Sequence, residues 1–295
     1  MTDQARPVQS EALNDRVAWY SVAVLTLAYL FSYLDRQILS LMVGPIKRDL
    51  NLTDTEFSLL AGLAFALFYT LLGIPIARLA DNRNRTRLIA IGVALWSVAT
   101  VSCGMARNFL HLFIARVMVG VGEAALSPAA YSLLSDRFSP ARLGRAIGVY
   151  SSGVFVGIGL SFIIGGMLVS SLEASGGMDF PLLGHLTSWQ ATFVIVGLPG
   201  LLVALLVLTL AEPQRKSLSG EVAEERMSNH AILQWLRGNG RLYLSHFFGF
   251  AMVTLLFNAI LAWAPEFFIR IHGVERSEIG IKLGVIAALA GGAGI

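Results

Sequence analysis

Long, nearly unbroken apolar runs constrain this chain more than any other feature. An α-helix rises about 1.5 Å per residue and a bilayer core is about 30 Å thick, so about 20 apolar residues are enough to cross it. We predict membrane-spanning helices at 17–45, 57–79, 87–106, 109–135, 143–171, 189–210, 241–269 and 279–295. The sequence therefore predicts an all-α polytopic membrane protein that lies in a lipid bilayer.

Composition excludes several other classes of protein. Of the 295 residues, 55% are hydrophobic and only 14% are charged, which is far from the soluble average of roughly a quarter charged. The net charge of +3 comes from short basic clusters between apolar runs, a pattern typical of membrane topology rather than nucleic-acid binding. The single cysteine, Cys103, gives no disulfide framework. We expect no cofactor and no nucleic-acid partner.

The basic clusters also predict an orientation. The loops at 78–87 and 136–145 each carry three or more arginines, whereas loops of the other parity are poorer in positive charge. Since positively charged loops stay on the cytoplasmic side, we expect a cytoplasmic N-terminus with a short, polar, disordered tail at 1–16, in a bacterial-type inner membrane. Residues 1–16 are not a cleaved signal peptide, because the apolar run that follows is too long.

A polar stretch at 211–240 divides the apolar runs into two groups. It holds Pro213, Gly220 and mixed charges, so we predict a cytoplasmic linker between an N-terminal six-helix bundle at 17–210 and a second group at 241–295. Apolar residues at 232–236 predict a short amphipathic helix on the inner membrane surface. If the layout is six plus six spans, about four spans are missing from the second group, as in a fragment.

Four charged residues lie inside the predicted spans. Asp35 and Arg36 are in the first span, and Arg116 and Glu123 are two turns apart on one face of the fourth. Each charge costs roughly 2.5 to 3.5 kcal/mol near the bilayer centre, so such residues face a bundle interior and have partners. We expect Asp35 and Glu123 to exchange protons, with Arg36 and Arg116 as charge partners or as ligands for a substrate head group. The alternative is that these charges are permanent structural pairs that never titrate.

Aromatic and glycine residues recur in the same spans. Five aromatic residues are candidates to line an amphiphile-binding cleft, although apolar packing accounts for any one of them: Tyr33, Phe65, Tyr69, Tyr131 and Tyr150. Glycines at 148–166 crowd the fifth span and predict close helix approach, because small residues let helix backbones meet.

Three stretches resemble signatures of the major facilitator superfamily. Residues 77–85, ARLADNRNR, are similar to its cytoplasmic loop signature between helices two and three, with the key charges at Asp81 and Arg85. Residues 116–124, RVMVGVGEA, resemble its fourth-helix signature, and 189–200 resemble the opening of its sixth helix. The resemblance implies two six-helix bundles of inverted repeats, here the first bundle plus the start of the second. It also implies alternating access, a monomer, and a cytoplasmic gate formed by Asp81, Arg85 and Arg137. The alternative for these gate charges is a topology signal only.

Within that superfamily the chain looks like the spinster branch. The resemblance lies in Asp35-Arg36, in 49–54 (DLNLTD), in Asn84-Arg85 and in 122–124 (GEA). It implies a proton-coupled transporter of lysolipid- or sphingoid-type amphiphiles.

Other functions remain open at this point. A transporter of a small organic anion is the first alternative, and a non-transporting receptor or a membrane-embedded hydrolase are remote ones. The five histidines are scattered, and no G-x-S-x-G, H-E-x-x-H or ATP-binding motif is present, which disfavours an enzyme or an ATP-driven pump. The expected energy source is an ion gradient, with protons favoured by the two acids.

Overall fold

The computed structural model describes residues 7–181, 183–215 and 229–293. Within these ranges the chain forms α-helices and one small hairpin. The helices are α1 Pro7–Gln37, α2 Val43–Leu50, α3 Asp54–Ser58, α4 Ala64–Asn82, α5 Arg85–Gly104, α6 Phe109–Glu123, α7 Leu126–Arg137, α8 Pro140–Ala174, α9 Ser188–Leu208, α10 Asn229–Gly238, α11 Gly240–His272 and α12 Arg276–Ala293.

Seven helical segments of the described chain are long and apolar enough to cross a membrane. They run over Asp15–Leu41, Asp54–Asn82, Arg85–Gly104, Phe109–Arg137, Pro140–Ala174, Ser188–Leu208 and Gly240–His272. They match the first seven predicted spans and confirm the all-α polytopic fold class. The eighth prediction corresponds to α12, which is helical but carries Arg276, Glu278 and Lys282. Its 18 residues thus hold three charges, whereas each of the seven segments has an 18-residue stretch with two at most.

The first helix differs from its prediction at both ends. It begins at Pro7, so residues 7–16 are helical where the sequence suggested a disordered tail. A proline suits the first turn of a helix, because an N–H at that position would have no acceptor within the helix. After Gln37 the chain tightens into a 3₁₀ segment, Ile38–Leu41, before α2. Asp35 and Arg36 therefore lie in the last turn of α1, close to a change of helix type.

The fourth span is broken beside Glu123. Helix α6 ends at Glu123 and α7 begins at Leu126, with a turn at Ala124 and Ala125. Pro128 has no N–H to donate to the carbonyl of Ala124, which explains why a continuous helix is not maintained here. Glu123 thus ends one helix segment in the interior of the bundle.

The second span has an irregular start. Thr53 and Glu56 form a reciprocal capping box at the beginning of α3. A π-helical turn, Leu59–Leu63, then joins α3 to α4. Such turns are frequent at functional sites. Here the turn immediately precedes Phe65, and Gly120 of α6 lies so close that an added Cβ would be 2.6 Å from the Phe65 carbonyl oxygen.

The loop between α8 and α9 holds two strands that the all-α prediction did not include. Strand β1, Met178–Phe180, pairs antiparallel with β2, Gly184–Leu186. Gly176, Gly177 and Gly184 all have positive φ values, which glycine adopts without a steric penalty. Strands of three residues leave no sequence pattern distinct from a loop.

The helices pack around α1, α5, α8 and α9. Helix α1 lies against α8 and α9, α5 against α6 and α9, and α4 against α6. The glycines predicted to allow close approach do so: a Cβ on Gly157 would lie 2.7 Å from the Leu30 carbonyl oxygen of α1, and a Cβ on Gly159 would lie 2.8 Å from that of Gly284 in α12. Helix α8 therefore joins the first six spans to the second group.

The bundle has two ends, which we call the linker face and the opposite face. The linker face carries the turns at 82–85 and 137–140 and the segment 208–215, and the opposite face carries the turns at 41–54, 104–109, 174–188 and 272–276. The linker predicted at 211–240 is described only at 211–215 and from Asn229, and 216–228 lie outside the described residues. Helix α10 covers the predicted amphipathic stretch, and its position on a membrane surface stays a prediction.

Candidate functional site

A buried ion pair joins α1 to α6 in the middle of the bundle. Nε of Arg36 lies 2.5 Å from Oε2 of Glu123, whose side chain is fully buried. The hydroxyl of Ser32, one turn before Arg36, donates to the same oxygen at 2.6 Å. The break after α6 and the end of α1 thus place an arginine, a serine and a carboxylate in contact. Arg36 and Glu123 are thus each other's charge partners.

The Arg36 guanidinium is also surrounded by aromatic rings. Its carbon Cζ lies 4.9 Å from the Tyr33 ring centroid, 4.4 Å from that of Phe65 and 4.9 Å from that of Tyr69. A cation at this distance is attracted by the ring quadrupole. Phe65 and Tyr69, one turn apart on α4, stack at 5.3 Å. The Arg36 guanidinium therefore contacts one carboxylate, that of Glu123, and three aromatic rings.

Asp35 faces a different set of helices from its neighbour Arg36. Its Oδ2 accepts a hydrogen bond from the Thr100 hydroxyl of α5 at 3.1 Å, and its side chain is buried. Glu123 and Arg116 are close enough to interact electrostatically with the Asp35 carboxyl group. The structure therefore brings all four predicted charges into one interior region.

Arg116 differs from Arg36 in having no ion pair. It is only 2% exposed, yet within the described residues it has no carboxylate within 4.0 Å and its Nε has no hydrogen-bond partner. Its Cζ lies 5.7 Å from the Phe65 ring. A buried, unpaired guanidinium is costly, and such a group calls for an explanation.

Both carboxylates keep one unused oxygen. Oδ1 of Asp35 and Oε1 of Glu123 are buried and have no hydrogen-bond partner in the described part of the chain. A carboxylate can accept on both oxygens, whereas a protonated acid needs an acceptor for only one proton. Chemically, each free oxygen can take up a proton without displacing an existing hydrogen bond.

An aromatic wall extends from the ion pair toward α7 and α8. Tyr33 contacts Tyr29 edge to face, and Tyr29 stacks on Tyr150 with centroids 4.6 Å apart. Tyr131 meets Tyr150 edge to face at 5.4 Å. The hydroxyl of Tyr150 is 3.4 Å from that of Ser127. Of the five aromatic residues predicted to line a cleft, Tyr33, Tyr131 and Tyr150 form a series of ring contacts with Tyr29. The other two, Phe65 and Tyr69, are linked to this series through the Arg36 guanidinium.

A second charge cluster lies at the linker face around Arg85. The buried Arg85 side chain donates to Glu212 at 2.7 Å, to Asp136, and to the carbonyl and hydroxyl oxygens of Ser132 at 3.0 Å. The backbone N–H of Thr86 donates to the other oxygen of Glu212 at 3.0 Å. Partial burial acts to raise the pKa of Glu212, but these hydrogen bonds outweigh it and hold that pKa below its usual value.

The other two predicted gate residues have different partners from those expected. The Asp81 side chain is exposed, and the structure does not bring it to Arg85 or Arg137. Arg137 donates instead to the Ala211 carbonyl. Arg215 donates to the carbonyls of Ala80, Asp81 and Arg83 at the end of α4, so it caps that helix. Arg85 is thus paired with Asp136 and Glu212, and within the described residues Asp81 accepts a hydrogen bond through its backbone carbonyl.

Several residues of these sites were not identified from the sequence. They are Tyr29, Ser32, Thr100, Asp136 and Glu212. Tyr29 and Ser32 precede Tyr33 and Arg36 by one turn, so helical periodicity on α1 would have found both. Thr100 lies in α5 and Glu212 lies in the segment that follows α9, so neither leaves a local signal near its partner. In the described residues no cluster of His, Cys, Asp and Glu fits a metal ion.

Comparison with known proteins agrees with the all-α membrane fold. The sequence profile of the Major Facilitator Superfamily matches residues 25–295. The chain is 29% identical over 280 residues to an MFS-type efflux pump of Mycolicibacterium smegmatis, covering 95% of this chain and 61% of the pump. It is 24% identical over 288 residues to Protein spinster of Drosophila melanogaster, covering 95% of this chain and 45% of that protein.

A solved structure is similar over nearly the same region. It is a bacterial homolog to the human lysosomal transporter Spinster in an inward-facing and unoccupied conformation, with a TM-score of 0.79 and 34% identity. The match covers 93% of this chain and 60% of that protein. The chain thus spans about half to three fifths of the length of these relatives.

Proposed function

The chain belongs to the Major Facilitator Superfamily and is spinster-like, and from this premise we propose that it is a secondary transporter that couples proton movement to the transport of a lysolipid- or sphingoid-type amphiphile. It is a multi-pass integral membrane protein. The single observation that carries the proposal is the Arg36–Glu123 pair, buried in the bundle and enclosed by Tyr33, Phe65 and Tyr69. An ion pair with this much aromatic surface suits a ligand that is charged at one end and apolar at the other.

The proton step begins at Glu123. A proton adds to the free oxygen Oε1 and leaves Oε2 in contact with Arg36 and Ser32. The carboxylate becomes a neutral acid, so the ion pair is lost and Arg36 is free to bind another anion. Asp35, with its own free oxygen and its hydrogen bond from Thr100, is the second proton-binding group.

The substrate step uses Arg36 and the aromatic wall. A guanidinium binds phosphate through two parallel N–H donors, so Arg36 would hold the phosphate of a lysolipid head group. Tyr29, Tyr150 and Tyr131 would lie along the acyl chain. A sphingoid base carries an amine instead, and its charge complements the carboxylates of Glu123 and Asp35.

Proton binding and substrate binding are coupled through competition for Arg36. Since ionised Glu123 occupies the guanidinium, an anionic head group binds best when Glu123 is protonated. Differential binding of this kind is what lets a ligand shift a conformational equilibrium. Alternating access then moves the site from one side of the membrane to the other.

Orientation follows from the arginine-rich turns. We assign the linker face to the cytoplasm of a bacterial-type inner membrane, with the N-terminus inside. Arg85, Arg137 and Asp81 then form a cytoplasmic gate together with Asp136 and Glu212. Exposed Asp81 would acquire its partner when this face changes conformation. We expect a monomer.

The unpaired Arg116 favours one alternative, a transporter of a small organic anion. Arg36 and Arg116 both lie near the ring of Phe65, so both could contact a compact dicarboxylate or sugar acid. This alternative predicts that Arg116 is essential for binding and that the distant aromatic residues are not. The amphiphile proposal predicts the reverse order of importance.

The test is proton flux in proteoliposomes with an internal pH dye. Lysophospholipids, sphingoid bases and small organic anions are supplied outside, one class at a time. The variants are Glu123→Gln and Asp35→Asn, with Glu278→Gln as the control, because Glu278 forms an exposed pair with Lys282 far from the site. We expect amphiphiles to drive proton movement in the wild type and in the control, and at least a tenfold loss in the two site variants.

Two outcomes would contradict the proposal. Equal proton flux in the wild type and Glu123→Gln would make the buried charges structural pairs. Flux with organic anions but not with amphiphiles would leave the coupling mechanism in place and replace the substrate class.

A further inference from the structure

Ion pairs cross between the two groups of helices at the opposite face. Asp54, the first residue of α3, accepts from Lys47 Nζ at 2.5 Å and from both terminal nitrogens of Arg270 at 3.0 and 3.1 Å. Lys47 belongs to α2 and Arg270 to the last turns of α11. Asp54 therefore holds one cation from its own group of helices and one from the second group.

Glu173 at the end of α8 has the same arrangement. One of its carboxylate oxygens accepts from Arg48 of α2 at 3.2 Å, and the other accepts from Arg276 at the start of α12. Arg270 and Arg276 lie on either side of the turn between α11 and α12. Asp54 and Glu173 thus bind the two arginines that flank this turn, and each acid also contacts a basic residue of α2.

Two further charged groups beside these pairs also have partners. Arg270 donates through Nε to Glu266 Oε1 at 2.7 Å within α11. Asp49 accepts from the indole N–H of Trp189 at 2.7 Å. A cleft of about 320 Å³ lies between the two groups, lined by Gly44, Lys47, Arg48, Leu52, Glu266 and Arg270. Lys47, Arg48 and Arg270 therefore each have an acidic partner while the two groups of helices are in contact.

We propose that Asp54 and Glu173 form a two-point closure of the opposite face, in which Lys47 and Arg48 keep the two acids paired when Arg270 and Arg276 move away. This inference rests on the proposed transport function, because alternating access requires this face to open. The reason for a resident cation on each acid is energetic. Asp54 is 50% exposed and Glu173 is 29% exposed, and an exposed pair contributes roughly 0.2 to 1 kcal/mol, so an acid that keeps its resident cation loses only one of its two pairs when the face opens.

The four cations of the closure differ in what they lose when the two groups of helices separate. On separation Arg270 keeps Glu266, Asp54 keeps Lys47 and Glu173 keeps Arg48. Arg276 alone loses its carboxylate, and its side chain is only 10% exposed in the closed form. Arg276 is therefore the residue that holds the face shut, whereas Lys47 makes opening easier. Two cations on the same acid, Lys47 and Arg270, should act in opposite directions.

The experiment measures opening directly with a pair of spin labels. Arg107 and Glu275 are exposed at this face, one in each group of helices, and neither takes part in the closure. Both are changed to cysteine in a Cys103→Ala background and labelled, and the distance distribution is recorded for the purified protein in nanodiscs. Arg276→Gln serves as the reference, since it should create a measurable open population beside the closed one.

Second substitutions are then added to Arg276→Gln. We expect Arg270→Gln to raise the ratio of open to closed molecules by about twofold to fivefold, the range given by exposed ion pairs. Lys47→Gln should lower that ratio by a similar factor, because it leaves Asp54 unpaired in the open form. Lys282→Gln, which breaks an exposed pair within α12, should leave the ratio unchanged.

Two results would overturn the inference. If Lys47→Gln and Arg270→Gln shift the ratio in the same direction, the cluster is a simple stabilising network without partner exchange. If Arg276→Gln creates no open population, these pairs do not close this face. The distance readout needs neither substrate nor a proton gradient, so failure of the transport proposal would be seen separately in the flux assay.

Discussion

Nε of Arg36 lies 2.5 Å from Oε2 of Glu123, and the same guanidinium lies within 4.9 Å of the ring centroids of Tyr33, Phe65 and Tyr69. The carboxylate holds the charge of Arg36 in place from one side, and the three rings enclose it from the others. When the carboxylate is neutralised, the rings still keep the guanidinium in position. The arginine is therefore preorganised for an incoming anion, and this relationship generates the predictions that follow.

The first prediction concerns Arg36→Lys. Lysine keeps the positive charge but loses the planar fork and the broad contact with the aromatic rings. We expect affinity for a lysophospholipid to fall about tenfold, since cation–π contacts contribute roughly 0.5 to 2 kcal/mol and the bidentate geometry is lost as well. Substrate binding followed by tryptophan fluorescence checks this. Arg142→Lys, at an exposed pair with Asp15, is the matched control and should bind as the wild type does.

An unchanged affinity for Arg36→Lys would show that only the charge matters. The head-group role of Arg36 would then reduce to simple electrostatic attraction.

The second prediction concerns the far end of the aromatic wall. Tyr131→Ala removes a ring in contact with Tyr150 and should weaken the binding of long-chain lysolipids about fivefold to tenfold, because apolar burial against the acyl chain is lost. Binding of a short-chain analogue with the same head group should be unchanged. Tyr20→Ala is the control, since Tyr20 is 43% exposed, similar to Tyr131 at 39%, but contacts Thr209 instead. Equal losses for short and long chains would place the acyl chain elsewhere.

The third prediction concerns acid stability at the linker face. The folded-state pKa of Glu212 is lowered by the hydrogen bonds from Thr86 and Arg85, so its stabilising contribution is present above the unfolded pKa and is lost as pH falls through the folded value. Glu212→Gln should therefore lower the melting temperature at pH 7, by an amount equivalent to about 1 kcal/mol. The difference from the wild type should shrink as the pH is lowered from 5 toward 3.

Thermal melts in detergent across that pH range check the third prediction. A difference that grows on acidification would mean that the pKa of Glu212 is raised rather than lowered. Glu278→Gln provides the comparison, since its carboxylate pairs only with exposed Lys282.

The sequence was sufficient to predict the helices and the buried charges, because both depend on local composition. Apolar length alone located the seven spans, and the expense of burying charge singled out Asp35, Arg36, Arg116 and Glu123. The tight turn after Glu123 and the β1–β2 hairpin were not predicted. Both are short, and a proline or glycine in a long apolar chain does not by itself indicate a break.

The sequence was not sufficient to assign partners between helices. Arg36 pairs with Glu123 while Arg116 stays unpaired, and this choice depends on the rotation and tilt of α1 and α6. Arg85 likewise pairs with Asp136 and Glu212 rather than with nearby Asp81. Glu212 lies 127 positions away in the chain, so only the folded structure brings it to Arg85. Partners of this kind are set by the packing of whole helices, which no local pattern records.

The last prediction tests the close contact that positions Glu123. Gly122 packs against α5 so tightly that an added Cβ would lie 2.7 Å from the Gly92 carbonyl oxygen and 2.7 Å from the Trp96 backbone nitrogen. Both are backbone atoms, so α5 and α6 would have to separate. We expect Gly122→Ala to destabilise the protein by about 1 to 3 kcal/mol, as overpacking does, and to weaken substrate-driven proton flux by displacing the Glu123 carboxylate.

Gly144→Ala is the matched control, because Gly144 lies in α8 with nothing within 4 Å of an added Cβ. Alanine is the better helix former by about 1 kcal/mol, so this variant should melt at or above the wild-type temperature with full flux. Thermal unfolding and proton flux are measured on both variants. If Gly122→Ala melts like Gly144→Ala and transports normally, the α5–α6 contact is looser than the distances imply, and the position of Glu123 does not depend on it.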